Sequence, residues 1–470
     1  MVKLFKKRGE PMRNDTVAAI STARGKGGVA MIRITGDNAL SIVKGMFTLI
    51  SGKELSDPTP RKCYYGNILR DGIIIDDATL TYFKAPHSYT GEDVVEICCH
   101  GGLYVTQAVL ETVLSCGAKM AEAGEFTRRA YINGKLTLSR AEAVGQVIDA
   151  TNDAQLRLST SGARGTLSKK LAYIRELMLD LITRSYATID YPDEDIEDNE
   201  RDEMSLTLSN VLSHLERLKS TYRASRAVSE GIRTAIVGKP NAGKSSLYNA
   251  LSGEELAIVT DIAGTTRDVI EHTALVGDVT LRLADTAGIR ETTDTVEKIG
   301  VSRAKEKIES SELVLCVFDL SDKENKEDYE LIRSMEGKSA VAVLNKGDKK
   351  RAVSDEFLTH INAKFPYVCE ISAKNESGLD NLARVLNTMY ELDKIDISND
   401  AVIANARQMS SLSLALDKVK EAKCALDFGE TNDIVCFSLE SALSELDMID
   451  ARATSEEIVS EIFSRFCVGK

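Results

Sequence analysis

The segment Thr234-Ala-Ile-Val-Gly238-Lys239-Pro-Asn241-Ala242-Gly243-Lys244-Ser245-Ser246 decides the reading of the chain. Its first four residues have the length and apolar character of a buried strand, and a helix is expected to start near Lys244. Between them lies the pattern G-x-x-x-x-G-K-S, whose glycines let backbone N–H groups curl around a phosphate at a helix N-terminus. Lys244 would bring a point charge to the β and γ phosphates, and the Ser245 hydroxyl would ligate Mg²⁺. Asn241, Ala242, Gly243, Lys244, Ser245 and Ser246 are therefore the candidate phosphate-binding residues, with Lys244 also a candidate catalytic cation.

Three segments downstream, and a fourth that supports the last of them, extend this reading. The apolar run 279–284 is followed by Asp285-Thr-Ala-Gly288, which puts a carboxylate at a strand end beside the Mg²⁺ shell and a glycine N–H at the γ-phosphate. Residues 260–268, Thr260-Asp-Ile262-Ala-Gly-Thr265-Thr266-Arg-Asp268, are glycine-broken and suit a loop that orders on γ-phosphate and Mg²⁺. Thr266 is the candidate second hydroxyl ligand. Asn345-Lys346-Gly-Asp348 follows the apolar run 341–344, and Asp348 there can accept hydrogen bonds from the guanine N1–H and 2-amino group. Adenine lacks that donor pair, and an unpaired carboxylate is costly, so the element selects GTP over ATP. Ser372-Ala373-Lys374, after the next strand, would place a backbone N–H at the guanine oxygen. These four motifs, in this order and on these elements, predict an α/β P-loop GTPase domain. Ile289 stands where Ras-like proteins carry a glutamine that orients water. The chain then either hydrolyses GTP very slowly or positions the water by other means.

Outward from this domain, 470 residues imply two to four domains at about 150 residues each. A βα rhythm over 230–390 implies a mostly parallel sheet covered by helices. Short β-rich runs at 29–34, 72–83 and 94–99, then a helical stretch at 102–115, read as an α+β domain. Long 3.6-period helices over 136–227 carry Leu171, Ile174, Met178, Leu181 and Ile182 on one face. The acidic segment from Asp190 to Glu203 reads as a solvated linker, and the chain is helical again from about 400. The expected domains are thus 1–130, 131–228, 229–390 and 391–470, the third inserted between two halves of a helical domain. With 59 Lys and Arg against 72 Asp and Glu the formal charge is −13, so an RNA partner has to meet a local basic patch. Nine scattered cysteines without C-x-x-C spacing suggest neither a disulfide framework nor a zinc site, and a reducing, cytoplasmic setting fits. No apolar run approaches the ~18 residues of a membrane span. The first thirteen residues read as a basic extension, with Met12 a candidate initiator.

Read whole, the chain resembles the MnmE or TrmE family of tRNA-modification GTPases over nearly its full length. The matching segments include Asp15-Thr16, Gly25-Lys26-Gly-Gly28, Arg33-Ile-Thr-Gly36, the run from Ser88 to Glu96, and His100-Gly-Gly102. Further matches are the run from Gly124 to Ala130, Asn133-Gly-Lys135, Ala141-Glu-Ala-Val144, Asp190-Tyr-Pro-Asp-Glu194, the GTPase motifs, and the terminal Phe466-Cys467-Val468-Gly469-Lys470. Lys26, Ala30 and Val468 are mild departures from the residues usual in the family. The resemblance implies a multidomain protein with a tetrahydrofolate-binding-like N-terminal domain, an all-α central domain and the inserted GTPase domain. It implies a homodimer joined through the N-terminal domains, and a flavin-dependent MnmG-like partner in a heterotetramer. With that partner it would add an aminomethyl-type group to C5 of the wobble uridine of certain tRNAs. By position, Arg33, Glu96, Lys135 and Lys470 match the contacts to 5-formyltetrahydrofolate, with Cys467 nearby. Asn241 matches a K⁺ ligand, joined by oxygens of Thr260, Ile262 and Thr265, and Glu297 matches a catalytic glutamate that orients water indirectly. The competing reading is an Era-like assembly switch acting on ribosomal RNA, which shares the apolar residue after D-x-x-G.

Overall fold

The computed structural model describes residues 15–190, 198–252, 272–283, 308–450, 456–464 and 466–469. These fall into two compact units, one of residues 1–145 with 443–470 and one of residues 146–442.

The first unit is built on a seven-stranded sheet in the order β3-β4-β5-β6-β2-β1-β7. Its strands are β1 (Val17–Ile20), β2 (Val29–Thr35), β3 (Phe47–Leu49), β4 (Cys63–Arg70), β5 (Ile73–Phe83), β6 (Val94–His100) and β7 (Lys119–Met120). All pairs are antiparallel except β1 with β7. Alternation along β2 sends Ile32 and Ile34 into the core with Leu80, Ile97, Val109 and Val113, and leaves Arg33 for the opposite face. Helices Ala39–Lys44 and Leu103–Ser115 pack on the apolar face. On the other face Val17, Ala19 and Ala121 surround Phe126 of helix Glu125–Ile132. The last helix, Glu456–Ser464, seals this unit by packing Val459 and Phe463 against Tyr131 and Leu138. Gly124 has φ +67°, and a Cβ there would run into the Phe463 carbonyl, so the close approach of the last helix requires glycine.

The second unit holds a six-stranded sheet in the order β13-β12-β11-β8-β10-β9. Its strands are β8 (Ile232–Val237), β9 (His272–Val276), β10 (Val279–Leu283), β11 (Leu313–Asp319), β12 (Ala340–Asn345) and β13 (Val368–Glu370). β11 and β12 are buried along their whole length, as parallel strands covered on both faces are. The sheet is parallel except at β9, an antiparallel edge strand joined to β10 by a two-residue turn. The βα rhythm did not anticipate β9, because a hairpin partner carries no helix to announce it. Of the long helices, Asp198–Ser229 packs against β10, and Thr166–Asp190 and Ala406–Asp427 pack on that helix. Leu171, Ile174, Met178, Leu181 and Ile182 are all buried, as their spacing predicts.

One expectation changes. The acidic segment from Asp190 to Glu203 is not a linker throughout, for helix Asp198–Ser229 starts inside it. Acidic residues suit a helix N-terminus, so their density does not by itself mark a linker. The second unit holds the helices from Asp153 to Ser229 together with the six-stranded sheet, and the first holds the last helix together with the N-terminal sheet.

Candidate functional site

In the second unit the loop 238–243 joins the end of β8 to helix Lys244–Ser252, the strand-to-helix setting that the motif needs. Asn241 and Gly243 have φ of +62° and +97°, and a Cβ at Gly243 would collide with the Asn345 amide nitrogen. That glycine therefore lets the loop close onto the end of β12. Lys244 Nζ donates to the carbonyls of Gly238 and Lys239, each at 2.8 Å, and burial holds its ammonium below the ordinary lysine range. Ser245 and Ser246 stand exposed at the helix start, and Ala242 is buried beneath the loop.

Asn345 is the pin of this site. Its Nδ2 donates to the Ala242 carbonyl at 2.9 Å, and its Oδ1 accepts from the Ala373 N–H at 3.0 Å. One buried amide thus ties the phosphate-type loop to the loop after β13. Lys346, at φ +64°, donates to the Asn241 carbonyl at 2.8 Å and to Asp319 Oδ2 at the end of β11. Burial works against ionising Asp319, but hydrogen bonds from Lys346 and Ser321 outweigh it and hold the carboxyl below its ordinary range. The Ser372 hydroxyl donates to Asp348 Oδ1 at 2.6 Å and likewise holds that carboxyl down, leaving an ionised acceptor at the mouth of the site. Asp319 had not been picked out from sequence. Its only signal there is a carboxylate closing an apolar strand.

The first unit gathers a second polar group on the sheet face opposite its main core. Arg33 on β2 lies directly across from Glu96 on β6, and its Nε and Nη2 reach Glu96 Oε1 at 2.9 and 2.8 Å. The guanidinium stands over the rings of Tyr89 and Phe126 at 5.6 and 5.7 Å. Lys135 donates to the Pro86 carbonyl at 2.9 Å. The C-terminal tail is seated on the same sheet: Val468 bridges Ala123, and the Ser21 hydroxyl donates to the Gly469 carbonyl at 2.9 Å. Gly469 has φ +100°, and a Cβ there would strike the Ile20 carbonyl. Below lies a buried ion pair that sequence reasoning missed, Arg129 with Glu92 at 2.9 Å and Glu125 at 2.7 Å. Burial disfavours the charged Arg129, yet its two carboxylates raise its pKa above the ordinary value. Both of its flanking motifs were noted, but nothing in their spacing shows that they meet.

Comparison with known proteins bears on the whole chain. A family model described as "MnmE helical domain" matches residues 138–467, and one described as "GTP-binding protein TrmE N-terminus" matches residues 16–135. A protein of Clostridioides difficile (strain 630) named tRNA modification GTPase MnmE is 39% identical over 97% of this chain and 99% of its own. One of the same name from Thermoanaerobacter pseudethanolicus is 38% identical with the same coverage. The chain belongs to the MnmE family of tRNA modification GTPases.

In this MnmE-family chain the structure brings together the phosphate-type loop, Asn345, Lys346, Asp348, Ser372 and Ala373, and, in the other unit, Arg33 with Glu96. Lys135 is held on the Pro86 carbonyl. Thr260, Ile262, Thr265, Thr266, Asp285, Gly288, Ile289, Glu297 and Lys470 lie outside the described residues. Cys467 is exposed, a free thiol just before the seated Val468 and Gly469. Among the described residues no helix is long and apolar enough to cross a membrane.

Proposed function

We propose that this MnmE-family GTPase, with a flavin-dependent MnmG-like partner, adds an aminomethyl-type group to C5 of the wobble uridine of certain tRNAs in the cytoplasm. The observation that carries this reading is the C-terminal tail seated at the end of β1, the strand whose Ala19 pairs with Arg33. A GTP-driven assembly switch on ribosomal RNA has no use for such a tail. Lys470 follows the glycine that Ser21 holds, so its ammonium would complete a cationic site begun by Arg33 and Lys135. Arg33, Lys135 and Lys470, three cations, and the Glu96 carboxylate suit a ligand with an anionic glutamate tail and a donor-rich pterin, and a folate such as 5-formyltetrahydrofolate would supply the one-carbon unit. Glu96 aligns Arg33 and neutralises it, leaving the remaining guanidinium N–H groups to orient the ligand.

In the second unit Asp348 would accept from guanine, the Ala373 N–H segment would border the guanine oxygen, and Lys244 would meet the phosphates. Ser245 and Thr266 are hydroxyl donors suited to Mg²⁺. Asn241, Thr260, Ile262 and Thr265 supply only oxygens, the donor set a hard monovalent cation takes, and K⁺ there would stand in for an arginine finger. Glu297 would orient the attacking water indirectly. The exposed Val29, Leu103 and Tyr104, near one another at one end of the N-terminal unit, support a homodimer through that unit. Mass spectrometry of wobble nucleosides from a strain lacking this protein tests the reading: the aminomethyl-type modification should vanish and return with the wild-type chain. An unchanged wobble nucleoside in the deletion strain refutes it.

A further inference from the structure

A protein of charge −13 that handles tRNA has to concentrate positive charge somewhere. In the helical layer of the second unit a basic cluster forms around Lys170. Lys170, on helix Thr166–Asp190, donates from Nζ to His214 Nδ1 on helix Asp198–Ser229 at 3.0 Å. The same ammonium lies 5.2 Å from the centre of the Tyr173 ring, one turn along its own helix. Tyr173 and His214 meet edge to face at 5.5 Å. Neither partner of Lys170 is an anion. Arg217, one turn beyond His214, reaches a carboxylate only at 4.0 Å, on Asp400.

Three lysines of helix Ala406–Asp427 are arranged differently. Lys420 pairs with Glu216 at 3.2 Å, Lys418 with Glu421 at 2.8 Å, and Lys423 with Asp427 at 3.1 Å. Lys170 is thus a half-buried ammonium with no carboxylate among the described residues. Burial and the Arg217 charge lower its pKa, and burial with Lys170 and Arg217 lowers that of His214. An arriving anion would relieve this repulsion. Tyr173 is 44% exposed and offers a flat ring at the same spot. An ammonium with no carboxylate partner among the described residues, an exposed arginine held only at 4.0 Å by Asp400 and a ring open to stacking match the chemistry of a phosphodiester next to an unpaired base.

We propose that Lys170, Tyr173, His214 and Arg217 form an RNA-contacting patch in which Lys170 and Arg217 bind backbone phosphate and Tyr173 stacks on an unpaired base. In it His214 holds the Lys170 ammonium towards the phosphate. The proposal rests on the tRNA reading above and names a surface that this reading does not.

Equilibrium binding of an unmodified tRNA transcript to the full-length protein, followed across a salt series, tests it. Lys170→Gln and Arg217→Gln should each weaken binding several-fold and reduce the slope of log affinity against log salt by about one. Tyr173→Leu should weaken binding about fivefold or more with the slope unchanged, and Tyr173→Phe should restore it. Lys420→Gln, which removes a paired lysine, should bind as the wild type does. GTP hydrolysis without tRNA should be the same in all of them, which shows that the variants are folded. Wild-type affinity and slope in the folded Lys170 and Arg217 variants would overturn the patch alone. If the wild-type chain itself does not bind the transcript, both the patch and the tRNA reading fall.

Discussion

Replacing Asn345 by alanine tests whether one buried amide holds the nucleotide site together. The side chain is 2% exposed and makes two hydrogen bonds, one to the Ala242 carbonyl and one from the Ala373 N–H. Truncation leaves both backbone groups unpaired where little water reaches, at a cost of roughly 1–3 kcal/mol each. The sum, about 2–6 kcal/mol, is a large part of the ~5–15 kcal/mol that keeps a domain folded. It falls on the link between the two loops, so the loops should separate before the sheet melts. Hydrogen exchange at the Ala373 amide should therefore quicken by about 30-fold or more, since ~2 kcal/mol is worth that factor. GTP affinity, read by fluorescence titration, should fall at least as far, because the phosphate and base halves no longer hold their spacing. If Asn345→Ala keeps the wild-type exchange rate at Ala373 and the wild-type GTP affinity, Asn345 is not the pin and the site is held by the sheet alone.

The remaining expectations are briefer. Asp348→Asn should lower affinity for GTP and raise it for xanthosine triphosphate, since the amide donates where the carboxylate accepted; competition titration with both nucleotides decides it. GTP turnover should be much faster in K⁺ than in Na⁺, because Ile289 cannot orient water, and equal initial rates in the two salts would remove the proposed K⁺ ligands. Gly469→Ala should unseat the tail by forcing a Cβ into the Ile20 carbonyl at φ +100°. It should abolish tRNA modification while GTP hydrolysis stays near normal, and wild-type modification levels in cells carrying it would dismiss the tail from the site. Asp319 has a folded pKa below its ordinary 3.8, so its stabilising effect is complete above that value and drains away as pH falls through the folded pKa. Melting curves should show Asp319→Asn less stable than wild type at neutral pH, with the gap narrowing below about pH 4; a constant gap would deny the Lys346 contact its electrostatic part.

The nucleotide-binding reading was legible in the sequence alone because its chemistry is local. The turn at Gly243, the ammonium of Lys244 and the hydroxyl of Ser245 act within one strand–loop–helix segment, and Asp348 is named by what guanine needs. The same holds for the buried strands β11 and β12 and for the helix face from Leu171 to Ile182, where periodicity names the inward side. Other features depend on residues far apart in the chain. Asn345 reaches Ala242 across 103 positions, Arg33 reaches Glu96 across 63, and Ser21 holds Gly469 across 448. Lys170 meets His214 only because two helices pack at one register, 44 positions apart. Local pattern states which way a side chain points. Which distant side chain it then meets is set by strand register and helix packing, and these arise only when the whole core closes.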